Sequence, residues 1–257
     1  MSLDLPPNAG TERDAAILHR VAEGAYDPIQ WATVTSTYGG HQGEFQIFAD
    51  ALKMDGVRIN CSAQVEQLIA DSLECLLLTP LLADMIWQQR VVTLLPSPQT
   101  IASSTQAMVD HSARLDAQLG KLGDPTGLIC TVGKHWVIDD AMLAHPGMAE
   151  NYGWHFEGPS YMGMTGEVTA SLAKDASGQY VRLIQGRGWR HDQHHVDYSQ
   201  TCVLVARACL VDGQPTDLKQ VLGDAKLSGL ASHHGAMQVL RQPGVPELET
   251  SGGVVVP

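Results

Sequence analysis

Hydrophobic and polar positions in the first half of the chain follow a helical period in three places. Apolar residues recur every three or four positions after Ser62, after Thr79 and along residues 104–119. Ser62 and Thr79 are residue types that cap a helix N-terminus, and Pro80 is favoured at the first helical position. The pattern therefore predicts three helices, which begin just after these two caps and near residue 104.

From residue 128 onward the hydrophobic period falls towards two, which is typical of strands with one buried face. The expected strands lie at residues 128–132, 135–138, 167–173, 180–185 and 197–211. In the first half, Asp55-Gly56 predicts a tight hairpin between two short alternating segments.

These patterns predict an α+β fold with a helix-rich N-terminal half that contains a small hairpin, followed by an antiparallel β-sheet C-terminal half. We expect residues 1–125 to form the mostly helical half and residues 126–241 to form the sheet half, which carries the candidate site. Residues 242–257, rich in proline and glycine at both ends, are expected to be an extended tail. A single domain that includes both halves is the alternative.

The amino-acid composition limits the classes of molecule that this protein is expected to bind. The 257 residues carry a formal net charge of −12, with 44% hydrophobic and 17% charged residues. Such acidity argues against nucleic acid and anionic membranes as partners, because both attract clustered Lys and Arg. The N-terminus lacks the basic and apolar regions of a signal peptide, and no apolar stretch is long enough to span a bilayer.

The five cysteines are scattered and form no CxxC pair, so the sequence predicts neither a zinc ribbon nor a disulfide framework. We therefore expect a reduced, cytoplasmic protein. A small-molecule or peptide-like substrate and a homo-oligomeric state are both compatible with the sequence.

Residues 190–199 hold the densest candidate chemistry, with three of the 11 histidines and two aspartates. If the chain is extended from His195, then His195, Asp197 and Ser199 lie on one strand face. Asp197 could then orient His195 as a general base. Alternatively, His191, His195 and Asp197 could bind one divalent metal ion. A solvated loop without function is the third interpretation.

Residues 151–156 form the second candidate site. Tyr152 and Trp154 are expected to hold a substrate by stacking, and Asn151 and His155 would supply polar contacts. His155 is also the second candidate catalytic histidine.

Charged residues around the strand at 135–138 could complete such a site. Lys134 is expected to bind substrate or stabilise an oxyanion, and Asp139 could orient a histidine. His111, by contrast, is expected in the core, and the pair His233-His234 is expected at the end of a short helix.

The sequence lacks the Gly-x-Ser-x-Gly, phosphate-binding-loop and dinucleotide-binding motifs. We therefore expect a hydrolase-type enzyme with a His/Asp centre, with or without a divalent metal as its cofactor. The expected catalytic residues are His195, Asp197 and His155. The alternatives are a non-catalytic binding or assembly protein that presents the aromatic segment to a partner, and a metal-binding protein without catalysis.

Overall fold

The computed structural model describes residues 3–100, 102–130, 132–163, 166–169, 172–174 and 180–247. The helices within them are α1 Thr11–Ala22, α2 Ala63–Ser72, α3 Pro80–Gln89, α4 Thr105–Lys121 and α5 Leu218–Gly223, with short 3-10 helices at Asp140–Ala144 and Ser228–Leu230. The strands are β1 Trp31–Tyr38, β2 His41–Phe48, β3 Lys53–Met54, β4 Val57–Arg58, β5 Cys75–Leu77, β6 Val92–Thr93, β7 Ile129–Cys130, β8 Lys134–Val137, β9 Met148–His155, β10 Ser160–Gly163, β11 Gly166–Thr169, β12 Leu172–Lys174, β13 Tyr180–Asp192, β14 Leu204–Val211 and β15 Gln214–Asp217.

The three predicted helices are confirmed, and each begins at a side-chain cap. The hydroxyl of Ser62 accepts from the N–H of Val65 at 3.3 Å, and Thr79 and Ser104 cap α3 and α4 in the same way. Such a cap satisfies one of the N–H groups that have no partner in the first helical turn. The predicted hairpin at Asp55-Gly56 is also confirmed, between β3 and β4.

The first sheet has the strand order β1-β2-β14-β15, and β5 also pairs with β14. The antiparallel pairing of β2 with β14 places Ile47 opposite Val205, so this sheet takes strands from both sides of residue 125. The predicted division into a helix-rich N-terminal half and a sheet-containing C-terminal half is therefore wrong, although the fold is α+β. Helices and strands are interspersed because β1 and β2 find a distant partner, which local periodicity does not reveal.

The second sheet has the strand order β12-β13-β9-β8 and positions the candidate residues. Side chains alternate between its faces, so Glu150 and Tyr152 of β9 lie on one face and Asn151 lies on the other. Strand β9 is irregular near its end, where Gly153 and Trp154 have φ values of 106° and 59°. In a regular strand, the side chains of Tyr152 and His155 would lie on opposite faces of the sheet. Because of this irregularity, the two side chains lie on the same side.

Parts of the expected segments fall outside the described residues. These are residue 131, residues 170 and 171 of the expected strand at 167–173, and residues 248–257 of the expected tail. At the start of that tail, Gln242 is buried and its N–H donates to the side chain of Gln67. Among the described residues, no helix is long and apolar enough to cross a membrane.

Candidate active site

The segment around His195 is a turn and not the strand that the sequence predicted. Strand β13 ends at Asp192 and β14 begins at Leu204, and the residues between them form turns and irregular structure. The carboxylate of Asp197 accepts from both the N–H and the hydroxyl of Ser199, at 2.8 and 2.5 Å. Side chains in such a turn do not alternate between two faces as they do in a strand. His195, Asp197 and Ser199 are therefore not placed on one face by their spacing.

The carboxylate of Asp197 is also paired with a lysine. The ammonium of Lys134 lies 2.9 Å from Asp197 Oδ2, and both side chains are largely buried. Burial alone would raise the pKa of Asp197, but Lys134 and Ser199 hold it below its ordinary value. Among the described residues, Nε2 of His195 has no hydrogen-bond partner. Lys134, the expected oxyanion ligand, thus already has a buried counter-ion.

The rings of His191 and His195 stack on each other. Their centroids are 3.7 Å apart and their planes differ by 7°. Burial lowers the pKa of both imidazoles, and the neighbouring His195 lowers that of His191 further. A metal ion binds in the plane of each ligating imidazole, so both rings would have to rotate before they could share one ion.

The aromatic segment is buried and does not form the wall of an open cleft. Tyr152, Trp154 and Phe156 are each at most 3% exposed. They therefore offer no stacking surface to a partner protein. Asn151 is also buried, and neither polar atom of its side chain makes a hydrogen bond among the described residues.

His155 bonds to a residue that the sequence analysis did not single out, Asp84 of α3. Its Nε2 lies 2.9 Å from Asp84 Oδ1, and the hydroxyl of Tyr152 donates to the same oxygen at 2.6 Å. Trp87, one turn along α3, stacks on the imidazole. Burial would raise the pKa of Asp84, but the hydrogen bond from His155 and the nearby imidazole of His233 hold it below its ordinary value.

A second group of buried carboxylates surrounds Arg187 of β13. Its Nε donates to Glu150 Oε1 at 2.6 Å, and its Nη2 donates to Asp139 Oδ2. Burial raises the pKa of Glu150 to about 7, because the donation from Arg187 only partly offsets burial and the nearby charge of Asp139. A carboxylic acid in this range can give or take a proton near neutral pH.

Two histidines of one turn approach both groups. Nε2 of His233 lies 3.7 Å from Asp84 Oδ2, and Nε2 of His234 lies 3.4 Å from Asp139 Oδ2. The histidine side chains are 19% and 42% exposed, whereas those of the two aspartates are 1% exposed. Here we call the following residues the histidine–carboxylate cluster: Asp84, Asp139, Glu150, Tyr152, His155, Arg187, His233 and His234.

The sequence contained signals for part of this cluster. Asp84 stands alone in the apolar stretch Leu-Leu-Ala-Asp-Met-Ile of α3, where an unpaired carboxylate would be costly. That cost was a sign that Asp84 has a polar partner. The sequence contains no comparable signal for Arg187 or for the pair His233-His234. Glycines flank Arg187, and the expected end of a short helix already accounted for the two histidines.

Comparison of this chain with protein-family models, with curated proteins and with solved structures found no match. Its function is therefore argued from the geometry of these residues.

Proposed function

We propose that the protein is a hydrolase-type enzyme whose acid–base centre is the histidine–carboxylate cluster. One observation carries the proposal: two buried aspartates, Asp84 and Asp139, each face a partly exposed histidine of the same turn. Carboxyl groups with a shifted pKa, such as Asp84 and Glu150, are typical of catalytic sites when they lie beside partly exposed polar groups.

His233 is the general base in this proposal. Its Nε2 is shielded from solvent and faces Asp84, so Nδ1 is the ring nitrogen that remains for a water molecule. The charge of Asp84 stabilises the imidazolium that forms when His233 takes a proton from that water. At 3.7 Å the two groups lie farther apart than a hydrogen bond, and such contacts commonly tighten when substrate binds.

Glu150 and Arg187 complete the site in this proposal. Glu150 is 0% exposed and acts on Arg187, from whose Nε it accepts a hydrogen bond, and the imidazolium of His233 gives its proton to the leaving group. Arg187 keeps one partly exposed edge of its guanidinium beside His234. A cation in this position stabilises negative charge on the substrate as the water adds.

His155 and Tyr152 act through Asp84. Both donate to Oδ1, which leaves Oδ2 directed to His233. They are positioning residues, because each is at most 2% exposed. The predicted catalytic role of His155 thus becomes a supporting one in this proposal.

The substrate class that we propose is a small amide or ester, including peptide-like compounds. Arg187 is already balanced by Asp139, so the cluster carries little excess positive charge for a strongly anionic substrate. We keep a cytoplasmic setting in the proposal, because Cys61, Cys75, Cys202 and Cys209 are buried free thiols.

A hydrolysis screen tests the proposal. Aminoacyl p-nitroanilides and p-nitrophenyl esters would be assayed near pH 7 with wild type and with His233→Ala. We expect turnover by wild type and a loss in kcat/KM of at least about 100-fold in the variant.

The matched control is His41→Ala, because His41 forms an exposed pair with Asp212 (Nδ1–Oδ2 2.7 Å) at another place in the fold. The control should retain full activity. Equal rates for wild type and His233→Ala would contradict the assignment of the base.

A further inference from the structure

Three buried residues outside the histidine–carboxylate cluster place metal-binding atoms close together. The sulfurs of Cys61 and Cys202 and a carboxylate oxygen of Glu66 lie within 4.8 Å of one another. Each of the three residues is 0% exposed. The absence of a CxxC pair argued against a zinc ribbon, but the fold brings these two cysteines together from distant parts of the chain.

The backbone holds the three residues in fixed positions. The N–H of Cys61 donates to Gln200 O at 3.3 Å, and the N–H of Cys202 donates to Ile59 O at 3.1 Å. Glu66 stands in α2, whose N-cap Ser62 follows Cys61 directly. Ligands on such ordered elements need little rearrangement to bind an ion.

Glu66 lacks the partners that a buried carboxyl group normally has. Neither oxygen makes a hydrogen bond of normal geometry among the described residues, although the backbone N–H of Val203 approaches the group. Leaving a buried carboxylate without donors is costly. A bound cation would remove this cost.

We propose that Cys61, Glu66 and Cys202 bind one zinc ion. Two sulfurs and one carboxylate oxygen suit zinc, because it accepts both soft and hard ligands. In a tetrahedral site with Zn–S bonds of about 2.3 Å, the two sulfurs lie about 3.8 Å apart. The three ligand atoms already lie within 4.8 Å, so side-chain movements suffice to close the site.

Arg13 supplies a supporting argument based on charge. This α1 residue is 0% exposed, and the neighbouring charges that act on it are those of Asp14 and then Cys61. Its Nη1 donates to Ser103 O at 2.7 Å, but its Nε and Nη2 have no partner among the described residues. Zinc with two thiolates and one carboxylate carries one net negative charge, which the guanidinium of Arg13 balances.

The burial of the site determines how zinc would behave. Three protein ligands leave one tetrahedral position for a water molecule or a further oxygen. Because solvent does not reach these residues, zinc is expected to enter during folding and to leave only when the chain unfolds. The site is independent of the proposed hydrolase activity, so neither result decides the other.

The first experiment measures zinc in the purified full-length chain by elemental mass spectrometry. We expect about one zinc per chain that resists chelator in the native state and is released in denaturant. Cys61→Ser and Cys202→Ser should each lose it, whereas Cys209→Ser, a change at another buried cysteine, should retain it. Glu66→Gln should weaken binding by at least about tenfold.

Refolding the wild-type chain with Co²⁺ keeps the test decisive if the variants fail to fold. Thiolate ligation should give a sulfur-to-cobalt charge-transfer band in the near ultraviolet. Folded protein that contains neither zinc nor this band after refolding with either metal would overturn the proposal. A disulfide between Cys61 and Cys202, found by mass spectrometry after alkylation, would also overturn it.

Discussion

Each face of the second sheet has an aspartate with histidines nearby, but the two carboxylates have different partners. On one face, Asp84 is surrounded by His155, Tyr152 and His233. On the other, Asp197 is paired with Lys134 and Ser199. The partners of Asp84 are two imidazoles and a phenol, whereas those of Asp197 are an ammonium group and a hydroxyl.

The neighbouring groups separate the two sides further. The Asp84 side ends at the partly exposed His233, His234 and Arg187, next to an acid with a pKa of about 7. On the Asp197 side the carboxylate is fully occupied, and the neighbouring histidines stack on each other. In the proposed mechanism, the other partners of a carboxylate are therefore a better guide to catalysis than the proximity of His and Asp in the sequence.

Replacing Asp84 by Asn should have the largest effect. The variant removes the charge that stabilises the imidazolium of His233, so we expect kcat to fall about 1000-fold. Activity would be measured on the best substrate of the hydrolysis screen. Asp212→Asn, at the exposed pair with His41, is the control and should leave kcat unchanged. A similar fall in kcat in both variants would contradict a specific role of Asp84 in the reaction.

Glu150→Gln should change how stability depends on pH. The folded-state pKa of about 7 lies above the ordinary value of 4.5, so between these values the folded state binds a proton that the unfolded state has lost. Stability should therefore fall by up to about 3 kcal/mol as pH rises through this window, and the variant should lack this dependence. Urea unfolding from pH 4.5 to 8 measures it.

The exposed Glu23→Gln is the control for Glu150 and should keep the wild-type slope. An unchanged slope in Glu150→Gln would show that this carboxyl does not titrate as we infer.

Asp197→Asn should lower stability and leave activity intact. The substitution leaves the largely buried Lys134 without its counter-charge, which should cost roughly 2 kcal/mol. Adding Lys134→Met should recover part of the loss, because the unpaired charge is then removed. Chemical denaturation at pH 7 gives these differences. Loss of hydrolysis without loss of stability would instead assign catalysis to the Asp197 side.

His195→Ala should have the smallest effect. It removes a stacking contact with His191, and Nε2 has no hydrogen-bond partner in the part of the chain that the structure describes. We therefore expect a change in stability of less than about 0.5 kcal/mol. Hydrolysis should be unaffected. A loss of hydrolysis comparable to that of His233→Ala would restore the sequence-based assignment of His195 as the base.

Several elements followed from short stretches of sequence. Ser62 and Thr79 cap helices through hydrogen bonds to residues three positions further along the chain. Asp55-Gly56 forms a tight turn because these two residue types readily adopt the backbone conformation that the turn needs. His155 was also marked as a candidate, because aromatic and polar residues concentrate around it. These features depend on neighbours that are adjacent in the chain.

The pairing of strands and of charges was decided only by the tertiary structure. His155 and Asp84 are 71 positions apart, and β2 pairs with β14 across most of the chain. The period of a pattern shows which side of an element is buried, but it does not show which distant group is buried against it. For this reason the sequence determined the local elements, and the packing of the second sheet decided which of its carboxylates face a histidine.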